Sequence, residues 1–141
     1  MSHQNMEIVR SLFSSFEQLG PESTFRFLSP EIEWEVRPDL PDSRTYREHD
    51  GVRELFATFE DVLDEQWYRP RELIPAGDLV VVPLRWGGRG KTSGATVEER
   101  EETWVLTLQD GLVTRVTEYA TKEAALEAVR LSGDAQGSSR D

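Results

Sequence analysis

The chain contains no cysteine, which excludes disulfides, thiolate nucleophiles, cysteine-based zinc sites and thiol redox switching. Histidine is almost as scarce: His3 and His49 are too few and too far apart for a histidine metal site. No stretch approaches the roughly 18 consecutive apolar residues of a membrane span. The polar opening Ser2-His3-Gln4-Asn5 does not read as a secretory or targeting segment. A cytoplasmic protein with no membrane partner is the expectation. Basic charge is also in deficit, with 16 Lys and Arg against 27 Asp and Glu and a net charge of −11, which would repel a phosphate backbone. Nucleic acid is therefore not an expected partner. Nothing in the sequence requires a cofactor.

What is present describes a container. A chain of 141 residues can bury roughly two thirds of its extended-chain surface and fold without staples. From Asn5 to Leu19 the residues Met6, Ile8, Val9, Leu12, Phe13, Phe16 and Leu19 recur at helical spacing, and Gly20-Pro21 ends the stripe. Pro21 starts a short second helix to about Leu28. Glu31 to Arg37 alternates acids with Ile32, Trp34 and Val36, the pattern of a half-buried strand. A loop of about a dozen residues follows, with Asp50 as N-cap of a helix carrying Val52, Leu55, Phe56, Phe59, Val62 and Leu63 to about Gln66. Strands are expected over Trp67 to Pro75, Leu79 to about Gly87, Val97 to Gln109 and Leu112 to Ala120, then a helix from Thr121 with an alanine-rich face. Gly87, Gly88, Gly90 and Gly94, with Arg85, Arg89 and Lys91, read as a flexible, basic connection. Residues 1–131 form one domain and 132–141 a flexible polar tail.

This order predicts an α+β domain with helices on one face of a mostly antiparallel sheet. Bulk on the other face, from Val81 or Val82, Val105, Val113 and Tyr119, predicts a homodimer through the sheet. A three-residue loop around Asp110-Gly111 places Leu106 opposite Val116 and Trp104 opposite Glu118.

Several segments, in their order, resemble the SnoaL-like branch of the nuclear transport factor 2-like superfamily, which includes ketosteroid isomerase. They are Ile32-Glu33-Trp34, Tyr46 followed by Asp50 to Phe56, Gly77 to Val82, Gly88 to Lys91, Gln109 to Val113, and Glu118-Tyr119 with Glu123 to Ala128. The likeness spans about residues 5 to 131. It implies a cone-shaped, curved sheet packed on N-terminal helices, a pocket between them, and a dimer. It does not imply one reaction, because this fold hosts isomerases, dehydratases, cyclases, epoxide hydrolases and non-catalytic binders. Ketosteroid isomerase uses an Asp base with an oxyanion hole of Tyr and protonated Asp. The resemblance puts Val36 at the base position and Leu12 or Phe13 at the hydroxyl position, so that mechanism is not supported. The His–Asp pair of related dehydratases has no counterpart either, since His49 precedes a helix without a fixed acid partner.

Glu118 is the residue that stands out, a carboxylate on the inward phase of a strand otherwise of Val, Thr and Ala. Desolvation beside Trp104 would raise its pKa and make it a candidate general acid or base; the alternative is that an Arg pairs with it at the pocket mouth. Glu102 is a second candidate on the same face, although Glu98-Glu99-Arg100-Glu101-Glu102 also reads as a solvated strand face. Arg85 and Arg89 either hold a ligand carboxylate or neutralise that acidic run. Trp34, Trp86 and Trp104 share the inward phase, and with Tyr46, Phe56, Phe59 and Val116 they make either an ordinary aromatic core or the wall of a ligand pocket. Three readings are compatible with these residues: a binder of a small hydrophobic or aromatic molecule, a cyclase- or isomerase-type enzyme using Glu118, and a structural or interaction dimer with a filled cavity.

Overall fold

The computed structural model describes residues 2–41, 43–61, 63–90 and 96–140. Val62 of the expected stripe and Lys91 and Gly94 of the expected connection lie outside the described residues, as do the side chains of Glu98 and Glu99.

Helix α1 spans Ser2–Leu19 and buries Val9, Leu12 and Phe13, while Leu19, expected on its apolar face, is largely exposed at the C-terminal end. Gly20, at φ 91, takes the left-handed conformation that turns the chain, and its amide closes on the Phe16 carbonyl. Pro21 then opens a 3₁₀ segment, Pro21–Phe27, in place of a second α-helix. Strand β1 is Leu28–Val36, with Ile32 and Trp34 buried as the alternation predicted.

The expected loop contains a strand. β2, Arg44–Arg47, pairs with β1 so that Tyr46 faces Trp34 across the ladder. Helix α2, Glu48–Glu60, is preceded by an extended Arg47 that makes no side-chain cap; Asp50 lies in the first turn and bonds Arg53 instead of capping. The helix also stops earlier than its apolar spacing suggested. Leu63 begins β3, Leu63–Pro70, because long-range pairing with the glycine-rich strand Leu79–Gly90 outweighs local helical preference. β4, Ile74–Ala76, and β5, Leu79–Gly90, follow.

Gly87 and Gly88 are strand residues rather than parts of a flexible connection. A Cβ on Gly87 would sit 3.0 Å from the Trp67 indole, and one on Gly88 would sit 2.4 Å from the Glu65 carbonyl oxygen. These positions let β3 lie close against β5.

β6, Thr96–Gln109, and β7, Leu112–Tyr119, are joined by a two-residue turn in which Asp110 and Gly111 both have positive φ. A two-residue turn of this kind matches the strand twist. It pairs Gln109 with Leu112 and Leu108 with Val113, after which a bulge shifts the register to Thr107 with Arg115, Leu106 with Val116 and Trp104 with Glu118. The expected pairing of Trp104 with Glu118 is therefore present, produced by a short turn plus a bulge at Thr114 rather than by a longer loop. The bulge also returns Val113 to the helix-facing side, where it is buried with Leu108, and not to the opposite face with Val81 and Val105.

The sheet order is β2-β1-β7-β6-β5-β3, with β4 on β5; β1 and β7 run parallel and the other pairs antiparallel. One curved face meets α1, the 3₁₀ segment and α2 through the main core. Helix α3, Lys122–Arg140, covers part of the opposite face, where Ala125 packs with Val81 and Val105. Helices thus flank both faces, whereas the sequence suggested one. The α3 backbone continues helically beyond Leu131.

Candidate functional site

The inward phases of β1, β6 and β7 bring two carboxyls and two indoles together. Trp34 on β1 donates its Nε1–H to Glu118 Oε2 at 2.7 Å, and Trp104 on β6 donates its Nε1–H to Glu102 Oε1 at 3.0 Å. The two indoles meet edge-on, 5.2 Å between ring centroids. Glu118 is 8% exposed. Among the described residues, no Arg or Lys forms an ion pair with it. Its pKa is raised from 4.5 to about 8, first by burial and then by the charge of Glu102, against the opposing pull of the Trp34 hydrogen bond and the more distant Arg37. The closeness of the Glu102 carboxyl thus adds to the effect of burial on Glu118. The two carboxyls lie together at the site, each held by an indole.

Arg37 is at the end of β1 with φ 38, a left-handed conformation that is uncommon for a residue with a side chain. Its guanidinium is engaged by Asp39 at 2.8 and 2.7 Å and lies 3.8 Å from Glu102. Tyr68, from β3, faces the same region. Burial and the two nearby carboxyls push its phenol well above the usual range, and its hydroxyl makes a long contact, 3.4 Å, to Gln66.

These groups line a cavity of about 190 Å³. Trp34, Phe56, Phe59, Trp86 and Trp104 line it as expected, with Glu118 and Glu102. Val36 is also in the wall, so the position that the resemblance gives to a catalytic Asp is apolar. Leu12 and Phe13 line a separate inner crevice of about 10 Å³, room for a single water at most.

Two expected wall residues are elsewhere. Val116 is fully buried beneath the site between Trp34 and Leu106, and Tyr46 is on β2 with the Arg44 guanidinium over its ring. Arg85 reaches Glu101 of the acidic run, the neutralising role, whereas Arg89 lies 3.8 Å from Glu65 on β3, outside that run. His49 lies in the first turn of α2, where its Nε2 is 3.0 Å from the Leu28 carbonyl oxygen, and it does not line the cavity.

Sequence reasoning missed Arg37, Tyr68 and Arg100, all of which line the cavity. Arg100 shares the face of Glu102 and Trp104 by simple alternation along β6, a signal masked by the surrounding acids.

A curved, unclosed and mostly antiparallel sheet laid over helices, with a cavity between them, defines the nuclear transport factor 2-like class with the ketosteroid isomerase-like fold. The chain belongs to the SnoaL-like domain family, whose model matches residues 9–116. No curated protein matches it. Among solved structures, TerC co-crystallised with polyporic acid is 25% identical at a TM-score of 0.71, the match covering 90% of this chain and 98% of that one. A nuclear transport factor 2-like protein of unknown function from Burkholderia pseudomallei has 17% identity and a TM-score of 0.72, covering 89% and 97%. A SnoaL-like polyketide cyclase candidate from a Jannaschia species has 18% identity and a TM-score of 0.71, covering 91% and 92%. The last two share the fold. The protein is thus SnoaL-like, of unassigned specific activity.

Proposed function

We propose that this protein binds a small aromatic molecule in the cavity, with the protonated carboxyl of the Glu118–Glu102 pair donating a hydrogen bond to it. The observation that carries this reading is a buried carboxylic acid at an aromatic-lined cavity, held by Trp34 and without a basic partner among the described residues. Cavity volume supports the size class. Drug-sized ligands occupy about 300–1,000 Å³, whereas an apolar cavity of about 150 Å³ takes one benzene ring; about 190 Å³ therefore suits a single substituted ring. The open cavity weighs against a cone filled by its own side chains. TerC, co-crystallised with polyporic acid, supports an organic ligand for a relative of this chain. The reading includes a homodimer through the sheet and a cytoplasmic setting.

A second reading is favoured by the pKa of Glu118, about 8, which suits a group that exchanges protons near neutrality. Here Glu118 would move a proton next to the carbonyl of a bound ketone. The two readings separate in one experiment: incubation with acetophenone in heavy water, with binding followed by thermal shift and exchange of the methyl protons by NMR. Binding by wild type and by Glu118→Gln, without exchange above the buffer rate, is the result expected of a binder. Exchange by wild type that is lost in Glu118→Gln establishes proton transfer. Absence of any thermal shift with acetophenone or a panel of phenols and aromatic acids would sink both.

A further inference from the structure

The cavity has a charged end that the carboxyl pair does not explain. Arg100, Glu102 and Trp104 project from one face of β6, and Arg100 lines the cavity. Its one ring contact is with Trp86, 6.0 Å from guanidinium to ring centroid, and among the described residues it has no acidic partner. The other cavity cation, Arg37, is already engaged by Asp39. This contrast matters in a chain with a net charge of −11, where acids outnumber bases and Arg44, Arg47, Arg53, Arg71 and Arg115 all hold one. Such a guanidinium beside an aromatic ring, at a cavity with room for one ring, is suited to a planar anionic group. Guanidinium and carboxylate match in a two-bond fork.

Building on the cavity reading above, we propose that the ligand is a monocyclic aromatic carboxylic acid, with its carboxylate on Arg100 and its ring between Trp86 and the Trp34–Trp104 pair. The ring edge then points toward Glu118. Glu102, two residues and about 7 Å from Arg100 along β6, is itself engaged by the Trp104 N–H at 3.0 Å and by Arg37 at 3.8 Å, which leaves the Arg100 guanidinium for the ligand carboxylate. Arg100 acts here as a specificity residue: it distinguishes an acid from its neutral isostere.

The test is calorimetric titration of the full chain with benzoate and with benzamide, which has nearly the same shape and no charge. Wild type should bind benzoate at least tenfold more tightly than benzamide. Arg100→Gln should lose that preference while keeping its benzamide affinity and its thermal midpoint, since the side chain is exposed. Equal affinities in wild type would overturn the proposal and leave the cavity reading standing, as would a benzoate preference that survives in Arg100→Gln. Failure of wild type to bind either compound would overturn the assignment, and the cavity reading falls with it only if acetophenone and the phenols also give no thermal shift.

Discussion

Glu118 couples the site to stability through a single proton. An ordinary glutamate loses its proton near 4.5, whereas Glu118 keeps its proton to about 8 in the fold. Between those values the folded chain binds a proton that the unfolded chain has released, so the stabilisation is complete below 4.5, declines as pH rises, and is gone above about 8. Each tenfold gain in proton affinity on folding corresponds to about 1.4 kcal/mol. Glu118→Gln retains an acceptor for the Trp34 N–H and cannot ionise. Urea midpoints measured across this window should therefore fall more steeply for wild type than for the variant, and tryptophan emission should titrate near 8 in wild type alone; parallel curves would contradict the assignment. The meeting of Glu118 with Trp104 was legible in the alternation of two strands. Its partnership with Trp34 was not, because residues 84 apart in sequence are joined by a parallel pairing that no local pattern announces. Arg100 was hidden for another reason: a run of acids reads as solvent-facing, yet alternate members of it turn toward the cavity.

At the scale of elements, the errors of sequence reading were those of context. The apolar spacing of α2 continues into Leu63, and only the approach of β5 makes that residue a strand. The glycines of β5 looked like slack and act as contact points. Gly88→Ala should consequently force β3 away from β5, since its Cβ would meet a backbone carbonyl at 2.4 Å rather than a side chain able to swing aside. Overpacking of this kind costs about 1–3 kcal/mol, and an unchanged urea midpoint would show that the strands separate freely. The β6–β7 hairpin teaches a related point. Counting residues gave the right partners for Trp104 and Leu106, but the same arithmetic is satisfied by a longer loop or by a tight turn with a bulge, and it misplaced Val113.

The whole molecule carries two opposing tendencies toward self-association. Part of the outer sheet face is already covered by α3, yet Leu126 and Leu131 leave apolar surface on that helix. Two copies, each at −11, also repel one another. A dimer through this side should therefore tighten as salt is added, with sedimentation velocity moving from the 16.1 kDa monomer toward twice that mass; a monomer at every salt and protein concentration would refute the dimer. The architecture was largely legible from sequence because helix stripes and strand alternation are local signals. How α3 and the cavity are placed was less so, since both depend on which face each strand presents. The pairing of β1 with β7 has one more consequence, for the order of assembly. During synthesis β1 emerges early but has only β2 as a neighbour until the final strand is made, so the Trp34–Glu118 contact belongs to the slow, long-range part of folding. A nascent chain halted before β7 would have the first strand's edge open and no site at all.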